Sequence, residues 1–205
     1  GFSDLMVREL FGPIGNQKYA GYARDIMASG EHLLDLINDI LDHAKIEAGQ
    51  FELHETVVNL ADVMEFTVHM MTLHAEQAKL SLRTDVQSGI RLFADERRIR
   101  QILLNLLSNA AKYTNPGGRL ELAVEPCEEG VRISVSDNGI GIAPEAVPKL
   151  FTLFSQLPVD SARMQGGLGI GLALVQRLAA MQGGRVDAHS DGPDKGSTFT
   201  VTLPV

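Results

Sequence analysis

The chain has 205 residues, 44 % hydrophobic and 21 % charged, with a net charge of −8. That length suffices for one good-sized domain plus an appendage, and the hydrophobic share is ordinary for a globular protein. The acidic balance leaves no basic patch to neutralise phosphates, which argues against nucleic acid as a general partner. No apolar run approaches a membrane span, and no stretch reads as a signal peptide. Cys127 is the single cysteine, so no internal disulfide forms and a reducing compartment fits. His32, His43, His54, His69, His74 and His189 show no metal-ligand spacing.

Gly1 to Leu10 reads as the end of a helix, broken by Phe-Gly-Pro-Ile-Gly at 11–15. Gln17 to Ala48 predicts a long helix. Ile26, Leu33, Ile37, Ile40 and Ala44 fall on steps of three, four and seven, the seam of a coiled coil or helical bundle. Glu31, Asp35, Asp39, Asp42 and Glu47 supply its polar faces, and Gly49 marks the stop. The pattern then changes. Phe51 to Val58 predicts a strand, Leu60 to Lys79 a helix, and Leu80 to Val86 and Ile90 to Ala94 short strands. Glu96 to Tyr113 is helical, and Asn115-Pro116-Gly117-Gly118 is a turn. Arg119 to Glu125 and Val131 to Ser136 alternate like a hairpin. Gly139 to Gly167 is punctuated by glycine and proline, with a short helix around Glu145 to Phe151. Leu168 to Gln182 predicts a helix ended by Gly183-Gly184, and Arg185 to Ser190 and Ser197 to Leu203 are closing strands. The mixture predicts an α+β two-layer sandwich over 49–205, preceded by a partial helical hairpin over 1–48.

The central stretch is NLLSNAAKYT, Asn105 to Thr114. Leu103, Leu106, Leu107 and Ala110 give its helix an apolar face, while Asn105, Asn109 and Lys112 fall along one polar stripe. An amide oxygen can ligate a hard cation such as Mg²⁺, and a lysine can pair with phosphate. Alone, the stretch reads equally as a core helix with solvated polar residues. Downstream stand VSDNGIGI (Val135 to Ile142), LFTLFSQL (Leu150 to Leu157) and GGLGIGLALV (Gly166 to Val175). Gly166, Gly167, Gly169 and Gly171 precede and open a helix, whose exposed N–H groups and dipole suit a phosphate. No Gly-Lys-Ser/Thr follows, so this is not a P-loop.

These four blocks, in this order, resemble the asparagine box, first glycine box, phenylalanine box and second glycine box of the bacterial sensor histidine kinases. That domain belongs to an ATP-binding superfamily shared with type II topoisomerases, Hsp90-type chaperones and mismatch-repair ATPases. The resemblance implies ATP and Mg²⁺ as cofactors. It assigns Asp137 to the adenine amine, which an ionised carboxylate can accept from. It assigns Asn109 to Mg²⁺, Lys112 to phosphate and Tyr113 to the adenine or ribose. Gly139 and Gly141 would let the chain turn tightly and the backbone approach ligand, and Gly167, Leu168, Gly169 and Gly171 would cradle phosphate. Leu168 stands where relatives often carry a hydroxyl, and Tyr113 where they more often carry phenylalanine. The segment between the glycine boxes would be an ATP lid, with Phe151 and Phe154 as core plugs or lid anchors and Gln156 and Arg163 near the γ-phosphate. Hydrolytic relatives carry a glutamate where Asn105 stands. An amide cannot act as a general base, so ATP is expected to be held for transfer to a histidine imidazole.

The helices of 1–48 are similar to the dimerisation and phosphoacceptor hairpin of that family, and the 1–49 stretch is similar to the alphaproteobacterial cell-cycle kinases. The family's phosphoacceptor motif is missing: Leu-Leu-Asp follows His32, Ala-Lys-Ile follows His43, and neither has an adjacent carboxylate. The acceptor is therefore expected upstream of this chain. The resemblance further implies a response-regulator receiver domain as partner, a homodimer in the full-length protein, a cytoplasmic location, and membrane anchoring only through segments outside this chain. Two other readings stay open: a kinase-like scaffold without phosphotransfer, and an ATPase of the wider superfamily.

Overall fold

The computed structural model describes residues 1–155 and 169–205, with the backbone alone at Glu31, His32 and Asp35. The chain divides into two compact units, Gly1–Gly49 and Gln50–Val205.

The first unit holds α1 (Phe2–Val7) and α2 (Gln17–Glu47), which touch each other. Asn16 starts α2 by accepting a hydrogen bond from the Lys18 amide, and Gly49, at φ +66°, stands just past its end. Ile26, Leu33, Ile37 and Ile40 are 63, 58, 43 and 45 % exposed, so the periodic seam is an uncovered apolar stripe. No carboxylate follows His43 directly in sequence, and neither of its ring nitrogens has a hydrogen-bond partner among the described residues. Glu47, one turn on, brings Oε1 to 3.3 Å from His43 Nε2, an ion-pair distance.

The second unit runs β1 (Thr56–Asn59), α3 (Leu60–Gln77), β2 (Ser81–Val86), β3 (Arg91–Ala94), α4 (Glu96–Tyr113), β4 (Arg119–Cys127), β5 (Gly130–Asp137), α5 (Gly171–Met181), β6 (Arg185–His189) and β7 (Ser197–Leu203). Five strands form one sheet in the order β2-β4-β5-β7-β6. The β2–β4 pair is parallel and the other pairs are antiparallel. β1 and β3 make a separate antiparallel pair. Helices α3, α4 and α5 form the second layer, with α4 between the other two. This is the α+β two-layer sandwich that the element mixture predicts.

The reason lies in the periodicities. Ile99, Ile102, Leu103, Leu106, Leu107 and Ala110 of α4 are all buried, as are alternate residues of β4 (Leu120, Leu122, Val124) and β5 (Val131, Ile133, Val135). A stripe at helical spacing thus meets a face of period two. Each fully buried leucine or isoleucine contributes about 1.5–3 kcal/mol relative to exposure. The antiparallel register sets Asp137, the last residue of β5, opposite Leu120 on one side and Ser197 on the other.

Three elements differ from expectation. The strand predicted over 51–58 is confined to Thr56–Asn59, because Phe51 and His54 are bound to the start of α4 and not to a ladder. The helix around 145–151 is one 3-10 turn, Val147–Lys149, where Pro148 supplies no N–H. The helix predicted from Leu168 begins at Gly171, since Gly169 takes φ +70°, outside the helical region.

Candidate functional site

Asp95 caps α4 by accepting from the Arg98 amide, and the Thr114 hydroxyl closes its last turn on the Ala110 carbonyl at 2.7 Å. Between these ends Asn105 and Asn109 lie half-buried and Lys112 exposed, spread over roughly 10 Å at the helical rise. At one end of this stripe stands the start of α5: a Cβ on Gly171 would meet Asn105 Cγ at 3.7 Å. The Asn105 amide nitrogen is buried there with no hydrogen-bond partner among the described residues. A buried donor left unpaired costs about 1–3 kcal/mol. Ile170, which precedes α5, offers its first turn no side-chain cap. The N–H groups of a helix start are donors, and together with the orphaned amide they offer a chemistry that suits an anionic group such as phosphate.

At the other end of the stripe, the Tyr113 carbonyl accepts from the Ile140 amide at 3.1 Å. The carboxylate of Asp137 sits beside this junction. Its Oδ1 accepts from the Gly139 amide at 2.8 Å and its Oδ2 from the Ser197 hydroxyl at 2.5 Å. The second bond is at the short end for a hydroxyl on an ionised carboxylate. Each carboxylate oxygen offers about two acceptor positions, so both keep capacity for an external donor. Ser197 went unnoticed in the sequence. The signal was present in Gly196-Ser197 at the opening of the last strand, but its pairing with Asp137 depends on register.

Gly139 and Gly141 stand where an added side chain would meet backbone. A Cβ on Gly139 would lie 2.2 Å from the Tyr113 carbonyl oxygen, and one on Gly141 2.1 Å from the Gly192 carbonyl oxygen. Gly141 also takes φ +67°. What approaches these glycines closely is the protein's own backbone, which stitches the loop to the end of α4 and to the β6–β7 turn. Gly196 belongs to the same seam, with its Cβ position 2.0 Å from the Asp137 carbonyl oxygen.

Phe154 is 67 % exposed at φ +60°, so it is not a core plug, while Phe151 is half-buried. The Phe154 amide donates to the Gly169 carbonyl at 3.1 Å, drawing residues 154 and 169 together. Gln156, Arg163, Gly166, Gly167 and Leu168 lie outside the described residues. Lys112 rests its ammonium 5.1 Å from the centroid of the Tyr113 ring, so these two neighbours share one end of the stripe. Among the described residues no group of three or more His, Cys, Asp or Glu side chains could hold a metal ion. A divalent cation here would take an amide oxygen of α4 together with the phosphates it accompanies.

The fold and site define a nucleotide-binding sandwich with a carboxylate at one end and a donor-rich helix start at the other. Residues 94–205 match the family described as histidine kinase-, DNA gyrase B-, and HSP90-like ATPase, and the chain belongs to it. Within it, this is the ATP-binding catalytic domain of the histidine kinases. Over its whole length the chain is 44 % identical to the non-motile and phage-resistance protein of Caulobacter vibrioides, covering 25 % of that protein. It is likewise 40 % identical to the circadian input-output histidine kinase CikA of Synechococcus elongatus and 38 % to the histidine protein kinase DivJ of Caulobacter vibrioides, covering 27 and 34 % of them. The chain thus spans between a quarter and about a third of the length of these relatives. Among solved structures it resembles full-length ShkA in complex with AMPPNP, at a TM-score of 0.79 and 32 % identity, over 98 % of this chain and 42 % of that one. The catalytic domain of the histidine kinase ThkA shares the fold at a TM-score of 0.65 and 24 % identity, over 75 % of this chain and 98 % of that one.

Proposed function

We propose that this chain binds Mg-ATP and transfers the γ-phosphate to a histidine outside residues 1–205, from which it passes to an aspartate of a response-regulator receiver domain. Asp137 accepts from the adenine amine, Tyr113 packs on the base or ribose, and Lys112 pairs with phosphate. Asn109 supplies an oxygen to Mg²⁺, whose charge offsets that of the phosphates. Gly167, Leu168, Gly169 and Gly171 form the phosphate end. The observation that carries the reading is the presence of an externally competent Asp137 carboxylate at one end of the α4 polar stripe and an orphaned Asn105 amide at the other. An amide at 105 holds no proton acceptor for water, so catalysis is positioning and charge neutralisation, as phosphoryl transfer requires. The uncovered α2 seam supports a homodimer in the full-length protein, and the reading places this domain in the cytoplasm.

The test is incubation with γ-labelled ATP. The chain alone should bind ATP, release phosphate no faster than background and stay unlabelled. Joined to roughly one further helix of its parent protein that bears the acceptor, it should acquire acid-labile label there. Steady ATP hydrolysis by the chain alone would favour an ATPase and overturn the transfer reading. Label on His32 or His43 would show that the acceptor has been misplaced.

A further inference from the structure

Asp95 does more than cap α4. It is 4 % exposed, and while its Oδ1 accepts from the Arg98 amide at 3.2 Å, its Oδ2 accepts from the His54 amide at 3.0 Å. Its own amide donates to Gln182 Oε1 at 3.0 Å. Gln182, 6 % exposed, is anchored in turn by its Nε2 donating to the Leu178 carbonyl at 3.3 Å. Residues 50–55 form no strand. They are held by the His54 bond and by Phe51, whose ring lies 4.4 Å below the Arg98 guanidinium.

Three parts therefore meet at one buried pair: the start of α4, the end of α5, and the stretch through which the chain enters this unit. Capping needs only the bond to the Arg98 amide. The bonds to Gln182 and His54 are additional, and they reach 87 and 41 residues along the chain. The two helices joined here are the ones whose other parts form the nucleotide site, through Asn105 to Tyr113 on α4 and Gly171 on α5. Buried hydrogen-bond networks are geometrically demanding, so the pair resists sliding of one helix along the other.

We propose that Asp95 and Gln182 are positioning residues that latch α4 to α5 and couple the seating of residues 50–55 to nucleotide affinity. The coupling is reciprocal: a seated segment favours the α4–α5 spacing seen here, and bound nucleotide favours the seated segment. The proposal rests on the ATP-binding reading above.

Hydrogen exchange of the His54 amide, followed by NMR with and without Mg-AMPPNP at about 100 times its Kd, tests it. In the wild-type chain nucleotide should slow this exchange at least about tenfold, below the ceiling of about a hundredfold set by that ligand excess. Gln182→Leu removes the bond to Asp95 while keeping bulk. It should reduce the nucleotide-dependent slowing to under about twofold and raise the Kd about three- to tenfold. Phe51→Ala loosens the segment without touching the buried pair, and keeps the test decisive where Gln182→Leu fails to fold. It should quicken His54 exchange and raise the Kd in the same direction. AMPPNP binding with His54 exchange unmoved, or wild-type Kd in both variants, overturns the latch alone. No AMPPNP binding by the wild-type chain overturns the nucleotide reading and the latch with it.

Discussion

Replacing Asp137 by asparagine isolates the charge of the group proposed to recognise the base. The Gly139 amide, 2.8 Å from Oδ1, fixes the remaining oxygen of the new side chain on its own side. The new NH₂ then points at Ser197 Oγ, now 2.5 Å from Oδ2. A serine hydroxyl can turn from donor to acceptor, so the fold should lose only about 1 kcal/mol, the difference between a charge-assisted and a neutral bond. Nucleotide loses more. A bond from the adenine amine to a charged acceptor is worth about 1.5–3 kcal/mol, which is about a tenfold to 150-fold rise in Kd. Guanine presents an oxygen where adenine presents its amine, so the wild-type chain should bind ATP well and GTP poorly, and Asp137→Asn should narrow that ratio. Calorimetric titration with Mg-ATP, ADP and GTP, alongside circular dichroism, reads all of this. Equal wild-type affinity for ATP and GTP, or a folded Asp137→Asn variant within twofold of wild type for ATP, would refute the assignment.

Gly139→Ala should cost about 2–3 kcal/mol, the upper range for overpacking, because the added Cβ meets backbone at 2.2 Å from the Tyr113 carbonyl oxygen. Thermal unfolding should show a fall of about 5–10 °C; a shift under about 2 °C would mean that the end of α4 yields. If Asn109 holds Mg²⁺ as proposed, Asn109→Asp keeps an oxygen for the cation but sets a charge beside the phosphates. It should weaken productive Mg-ATP binding with circular dichroism unchanged, and unfolding would instead make Asn109 a structural residue.

The chain's own order of residues determined what depends on near neighbours. The helix over Glu96–Tyr113 is bounded as its periodicity requires, and its apolar face is the buried one. The polar stripe of Asn105, Asn109 and Lys112 follows from the same period, and the glycine segments that hold Gly139 and Gly171 were legible as motifs. Tertiary structure decided what depends on pairing. Ser197 serves Asp137 only because β7 lies in register with β5, 60 residues apart in sequence. Gly139 and Gly141 are required by carbonyls of Tyr113 and Gly192, which no local pattern places there. Residues 51–55 look like a strand in sequence, yet the His54 amide is claimed by Asp95 and the Phe51 ring by Arg98. Gln182 appears in sequence as the polar end of a helix, and it becomes half of a buried latch once α5 packs beside α4. Local propensity sets where a helix starts and which side is apolar. Which backbone group or side chain occupies the space opposite is set by packing, where a shift of one residue in register would exchange every partner.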